Sequence, residues 1–189
     1  MSEDRKETVG AVLRWRQRLA SDTGPHRAAR ARLRRCATIL DALIERETIE
    51  LVKSVRAVAK ITRDREDRLA IIAIALAHNP NDGKGAFATA LGHTAEGKSP
   101  GEGDRPKFAP ARFTSLVRQV EQRDWEGLIR SLRRAFAILG DTPFSAPGLV
   151  ADLLYLDDRT LQRWTYDYWQ TSAPETLAPL LLNETEALS

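Results

Sequence analysis

The sequence contains one cysteine, Cys36, so no disulfide can form within the chain and a reducing compartment is expected. Its three histidines, His26, His78 and His93, are scattered with no ligand spacing; beside a lone thiol they suggest no zinc site. Long apolar runs are missing too. The longest, Leu69 to Ala77, is about half of what spans a bilayer, and the first 20 residues have no apolar core of a signal peptide. No membrane partner and a cytoplasmic location are therefore expected. Gly97 and Gly101-Glu102-Gly103 match no phosphate-cradling motif. The adjacent Asp157 and Asp158 read better as a helix N-cap than as a metal pair. These absences lead to the expectation of a non-enzyme with no catalytic residue, no metal and no cofactor. Period-two alternation is also absent, whereas apolar spacings of three and four recur, which predicts an all-α fold of two small helical bundles packed together, without significant β-sheet.

Lysine is scarce as well: 23 arginines stand against 6 lysines. A GC-rich genome produces the same bias, so the clustering of the arginines is more informative than their number. The net charge is only +3. It is unevenly spread: residues 1–46 hold 11 Lys/Arg and 6 Asp/Glu, residues 104–134 hold 8 and 4, and residues 141–189 hold 2 and 8. A basic front and an acidic end imply two kinds of neighbour.

The sharpest local feature is a stretch without carboxylates. Arg27, Arg30, Arg32, Arg34 and Arg35 fall within nine residues, with no Asp or Glu among them. On most solvated helix faces Glu and Arg alternate at i, i+4. Residues 60–68 show that ordinary pattern, with Arg63, Arg65 and Arg68 interleaved with Asp64, Glu66 and Asp67. On a helical wheel Arg27, Arg30 and Arg34 stack on one face, flanked by Arg32 and Arg35, while Ala29, Leu33, Cys36 and Leu40 share another. Guanidinium groups present planar forks of donors that fit phosphate oxygens.

A first helix is marked by Val9, Val12, Leu13 and Leu19 and ends near Ser21-Asp22-Thr23-Gly24-Pro25. Pro25 then opens the arginine helix. Further helices are predicted over 48–59 and 65–78, with a short one over 86–91. Residues 92–110, rich in Gly, Pro and Lys, read as a flexible loop between an N-terminal helical unit (1–91) and a C-terminal bundle (111–173), with 174–189 as a tail. In the second unit Phe113, Leu116, Val117 and Val120 share one face. A helix capped by Asp124 buries Trp125, Leu128, Ile129, Leu132, Phe136 and Leu139. Helices over 148–156 and 157–170 follow.

Arginines recur on this second unit. Arg130 and Arg134 lie opposite the buried face one turn apart, with Glu126 placed to pair with Arg130; Arg133 sits at the edge of that face. Arg118 points away from the Phe113 face, and Arg112 opens its helix. The expected nucleic-acid-binding set is Arg27, Arg30, Arg34, Arg35, Arg112, Arg118, Arg130 and Arg134. Tyr155, Trp164, Tyr166, Tyr168 and Trp169 could stack on unpaired bases. Core packing explains them better, because Leu161, Trp164, Thr165 and Tyr168 share one helical face and the surrounding charge is acidic.

Three stretches, in order along the chain, resemble the small subunit (CasB type) of the type I-E CRISPR Cascade surveillance complex. They are Arg30-Ala31-Arg32-Leu33-Arg34-Arg35; Ala111-Arg112-Phe113 with Leu116, Leu128 and Leu132-Arg133-Arg134; and Asp152-Leu153-Leu154-Tyr155-Leu156 with Arg163-Trp164 and Asp167-Tyr168. The resemblance implies a two-part helical subunit, present as two copies head to tail. It implies backbone and large Cascade subunits as partners, with the crRNA and the target and non-target DNA strands. It further implies that the basic surface holds separated strands after the guide pairs, and that cleavage belongs to a recruited nuclease. Since R-loop formation is nearly balanced in energy, modest backbone contacts can tip it. On this reading, replacing Arg30, Arg34 and Arg134 by alanine weakens the R-loop while folding survives. Two other readings fit the residues: a helix-turn-helix regulator using the Gly24-Pro25 turn, and a structural adaptor whose arginines meet acidic protein surfaces.

Overall fold

The computed structural model describes residues 3–78, 82–94 and 105–170. Among these residues it has ten α-helices and no strand. They are α1 (Glu3–Ala20), α2 (Gly24–Arg35), α3 (Ile39–Ile44), α4 (Arg46–Arg56), α5 (Arg63–His78), α6 (Phe87–Gly92), α7 (Pro110–Glu121), α8 (Trp125–Leu139), α9 (Ala146–Leu154) and α10 (Asp158–Trp169). The fold is all-α, as the apolar spacing predicts.

The apolar run Leu69–Ala77 explains the architecture. All nine residues are buried, so α5 is covered on every side. It packs against α2, α3, α4, α8 and α9 and serves as the axis of the molecule. The buried apolar residues form one cluster, drawn from α1 through α10. Chain order is enforced by caps. The Thr38 hydroxyl and Asp41 carboxylate form a capping box at α3, and the Asp124, Ser145 and Asp157 side chains accept from the third backbone N–H of α8, α9 and α10. The backbone hydrogen bonds to Asp41 and, first of all, from Thr160 to Asp157 hold both carboxyls below their ordinary pKa.

Helix ends depart from expectation in instructive places. The arginine helix stops at Cys36, so Leu40 does not continue the Ala29–Leu33–Cys36 face; it belongs to α3 and is 67% exposed. Helix α3 itself, six residues long, was not expected. Helix α4 starts at Arg46 and stops at Arg56, and α9 starts and stops two residues before the predicted 148–156.

The segment 92–110 is pinned at both ends. The Lys107 and Phe108 N–H groups donate to the His93 and Leu91 carbonyls, and Phe108 is buried. Gly92 is needed there, because a Cβ would lie 1.9 Å from the Tyr168 carbonyl oxygen where α6 crosses α10. The Tyr168 hydroxyl donates to the Phe108 carbonyl at 2.5 Å, and its ring stacks on Phe113 at 4.0 Å. Residues 95–104, including Gly97 and Gly101–Gly103, and the tail 174–189 lie outside the described residues. Trp164 and Tyr168 are core, as the helical face predicts, while Trp169 is half-exposed. Tyr155 lies between Arg5 and Arg65, whose guanidinium carbons stand 4.4 and 5.3 Å from its ring centre.

Candidate nucleic-acid interface

The arginines of α2 divide into two kinds. Arg30 Nη1 donates to the Leu19 and Ser21 carbonyls at 2.5 and 3.1 Å, closing the C-terminal end of α1. Arg34 Nε donates to the Ala77 carbonyl at 2.6 Å, at the C-terminal end of α5. The last carbonyls of a helix lack partners within the helix and carry its negative pole, so they draw guanidinium donors. Neither arginine is fully consumed: Arg34 keeps both Nη groups and remains exposed, and Arg30 keeps Nε and Nη2.

Arg32 is neutralised. Its Nε meets Glu45 at 2.7 Å and its Nη2 meets Glu47 at 3.3 Å, and the hydrogen bond to Glu45 is the main reason its pKa is raised. The absence of acids within one turn therefore does not leave the whole stripe unpaired; the carboxylates come from the α3–α4 junction. Arg27 faces Asp22 loosely at 3.7 Å, with both side chains well exposed, a pair of little energetic weight. Arg35 is exposed and has no ion pair among the described residues.

On the second half, Arg112, Arg118, Arg130 and Arg134 are all exposed. None forms an ion pair among the described residues, and the expected Glu126–Arg130 pair does not form. Arg133 is half-buried, as its place at the edge of the α8 face predicts.

His78 lies where α2, α5 and α8 come together. Its ring stacks on Phe136 of α8 with centroids 5.7 Å apart. Burial lowers its pKa to about 4, aided by the charges of Arg34 from α2 and Arg133 from α8. Arg133 also acts on the thiol of Cys36, whose pKa burial raises. Arg34 of α2 and Arg133 of α8 thus both lie near His78 at the C-terminal end of α5. Arg112 and Arg118 stand apart from this junction, on α7, which packs on α8. Sequence reasoning grouped Arg133 with the other α8 arginines but missed the junction, because no sequence spacing links Arg133 to His78 or Arg34.

The same region has no cluster of groups fit for bond cleavage. The Cys36 thiol is buried and shifted away from the thiolate, the form that reacts. Among the described residues no group of three or more His, Cys, Asp or Glu could hold a metal ion, and no helix is long and apolar enough to cross a membrane.

A family model described as CRISPR-associated protein Cse2 matches residues 29–169. The match takes in the arginine helix from Ala29, the arginines of α7 and α8, and all but the last residue of the described C-terminal part. No curated protein and no solved structure matches the chain.

Proposed function

Because the chain belongs to the CRISPR-associated protein Cse2 family, and so is a Cascade subunit of CRISPR defence, we propose that its arginine face grips nucleic-acid backbone and stabilises the R-loop. The exposure of Arg35, Arg112, Arg118, Arg130 and Arg134 without ion pairs among the described residues supports this most directly. Arg35, Arg112, Arg118, Arg130 and Arg134, with no ion pair among the described residues, present free forks to phosphates, and Arg27 has only its loose pair with Asp22 to release. Arg30 and Arg34 add charge while holding helix ends. The crRNA and the target and non-target strands are the polyanions in this reading, and a second copy extends the track along the complex. The subunit contributes contacts and no bond-breaking step, and acts in the cytoplasm.

Phosphate contacts position a strand without reading it, so binding is independent of sequence. Eight contacts on single-stranded DNA give a log–log salt slope of about −5.6, at ~0.7 per contact. Changing Arg27, Arg35, Arg130 and Arg134 together to alanine leaves four contacts and a slope of about −2.8. The measurement is fluorescence polarisation of a labelled oligonucleotide across salt concentrations, followed by R-loop lifetime in the assembled complex. An unchanged slope in the quadruple variant refutes the proposal. Affinity that depends on one operator sequence would favour a helix-turn-helix regulator instead.

A further inference from the structure

Away from the arginine junction, at the other end of α5, lies a surface of opposite character. Asp67 precedes His78 by eleven residues, about 16 Å along the helix axis. There a cleft of about 700 Å³ opens between α3, the start of α5 and the α7–α8 turn. Its apolar lining comes from Ile39, Leu40, Leu43 and Trp125. A second cleft of about 330 Å³ lies on the other side of that turn and is lined by Val120, Leu156 and Leu161. Arg123 and Trp125 line both, so the two clefts form one groove interrupted by the turn.

The charges along this groove favour one kind of occupant. Asp67, Glu121, Glu126 and Asp158 line it, and none has an ion pair among the described residues. Asp67 is partly buried and its pKa is raised, first by lost hydration, against the opposing charge of Arg63 and with help from Asp64 and Glu66. Asp124 and Asp157 add two further carboxylates, both engaged as N-caps. The cations are fewer and mostly occupied: Arg68 bonds Asp64 and the Leu154 and Leu156 carbonyls, and Arg123 leans toward Asp64 at 3.8 Å. Only Arg63 among the lining cations has no ion pair. Leu40 at 67% and Ile44 at 73% exposure extend apolar surface beyond the rim. Arg123 also adopts φ 55°, a left-handed conformation unusual for a residue with a side chain.

We propose that this groove docks a basic amphipathic segment of a protein partner, whose apolar side chains sit against Leu40, Leu43 and Trp125 while its Lys or Arg residues meet Asp67, Glu121, Glu126 and Asp158. A half-buried tryptophan inside a polar rim is the usual form of a binding hot spot. Nucleic acid is repelled from the groove by the same carboxylates, so this surface and the arginine face serve different partners. The inference stands apart from the nucleic-acid reading.

The probe is an 18-residue helical peptide of leucines on one face and lysines on the other, with a Leu/Glu peptide of identical pattern as its counterpart. Amide shifts in ¹⁵N spectra of the full chain locate binding. The expected result is that the lysine peptide perturbs residues 38–43, 63–67 and 121–126, and that the glutamate peptide does not bind. Charge reversal by Glu121→Lys with Glu126→Lys, both exposed positions, lowers affinity for the lysine peptide at least tenfold and creates affinity for the glutamate peptide. Leu40→Ser weakens the lysine peptide without moving the melting temperature. The Arg27/Arg35/Arg130/Arg134 alanine variant binds the peptide as the wild type does, which separates this test from that of the arginine face. Equal binding of both peptides, shifts located elsewhere, oligonucleotide shifts in the groove, or a second copy of the chain occupying it by concentration-dependent sedimentation would each overturn the proposal.

Discussion

Arg34 and Arg35 are adjacent in sequence, equal in charge and both exposed, yet their alanine variants are expected to differ sharply. Arg34 Nε donates to the Ala77 carbonyl at the end of α5, the helix that every neighbour packs upon. A hydrogen bond from a charged donor contributes about 1.5–3 kcal/mol, and the carbonyl left behind lies beside the half-buried His78. Removing Arg34 also relieves part of the charge that depresses His78, a small gain in the other direction. The net expectation for Arg34→Ala is a loss of about 2 kcal/mol. For a chain of this size that is a fall in melting temperature of roughly 4–8 °C. Arg35→Ala removes no contact and should stay within about 0.5 kcal/mol of the wild type. Arg30→Ala, which uncovers the Leu19 and Ser21 carbonyls, should behave like Arg34→Ala. Thermal unfolding followed by circular dichroism reads the difference, and oligonucleotide polarisation on the same samples reads the salt slope. If Arg34→Ala and Arg35→Ala melt together, the cap at α5 does not have the strength assigned to it, and the division of α2 into anchoring and free arginines fails. It follows that a triple Arg30/Arg34/Arg134 variant confounds stability with binding. The set Arg27, Arg35, Arg130 and Arg134 does not.

Acid should destabilise the chain in two windows. His78 titrates near 4 when folded and near 6.5 when unfolded. The unfolded state therefore binds the extra proton first, and stability falls as pH drops from about 6.5 to 4, by about 1–2 kcal/mol once solvent screening of the half-buried ring is discounted. Asp41 and Asp157, lowered in the fold, withdraw their contribution only below their unfolded value of 3.8. Asp67 and Asp167, raised in the fold chiefly by burial, oppose the trend just above that value. Urea unfolding from pH 7 to 4 should show the slope in the wild type and lose most of it in His78→Gln; a slope that persists would assign it elsewhere. Gly92→Ala places a methyl group 1.9 Å from the Tyr168 carbonyl and should cost more than about 3 kcal/mol or block folding, read by near-ultraviolet circular dichroism of the aromatic core. Asp152→Asn removes a carboxylate that accepts from Trp164 Nε1 at 2.7 Å and pairs with Arg163; a loss of about 1–3 kcal/mol in chemical denaturation is expected, and none would mean the Trp164 bond is replaceable.

Much of the fold can be read from residue patterns because burial is periodic. Val9, Val12 and Leu19 mark α1, Leu128, Ile129, Leu132, Phe136 and Leu139 mark α8, and each face is buried as spaced. Asp124 and Asp157 announce the helices they cap. Helix α3 escaped because six residues span less than two turns, too few to establish a period; its only signal is Thr38 with Asp41 three residues on, a capping box. The α2 arginines escaped for a different reason. The partners of Arg30 and Arg34 are backbone carbonyls at Leu19, Ser21 and Ala77, and every residue type has one. The partners of Arg32 lie 13 and 15 residues away across a turn that sequence spacing does not resolve. Whether an arginine has a partner is a tertiary fact, so the field of charge was visible in the sequence and its assignment to individual side chains was not.

The same tertiary fact connects stability to recognition. An arginine held at a helix terminus has lost rotamer freedom in folding, so a phosphate that approaches its remaining donors meets a charge already in place. Arg34 is in that position: its Nε is fixed by α5 while both Nη groups stay exposed, beside the point where Arg133 arrives from α8. Arg35, Arg130 and Arg134 are exposed with no ion pair among the described residues, and on the proposed reading the bound strand orders them. On α2, Arg27, Arg30 and Arg34 share one face over seven residues, about 10 Å, with Arg35 flanking it. On the proposed reading a strand running along that face meets both mobile and fixed cations. The fixed ones set its path, and the mobile ones adjust to phosphate positions that vary with sequence. If the proposed function holds, binding that is firm yet indifferent to base identity follows from that mixture, whereas eight equally mobile arginines would give it only at a larger entropic cost.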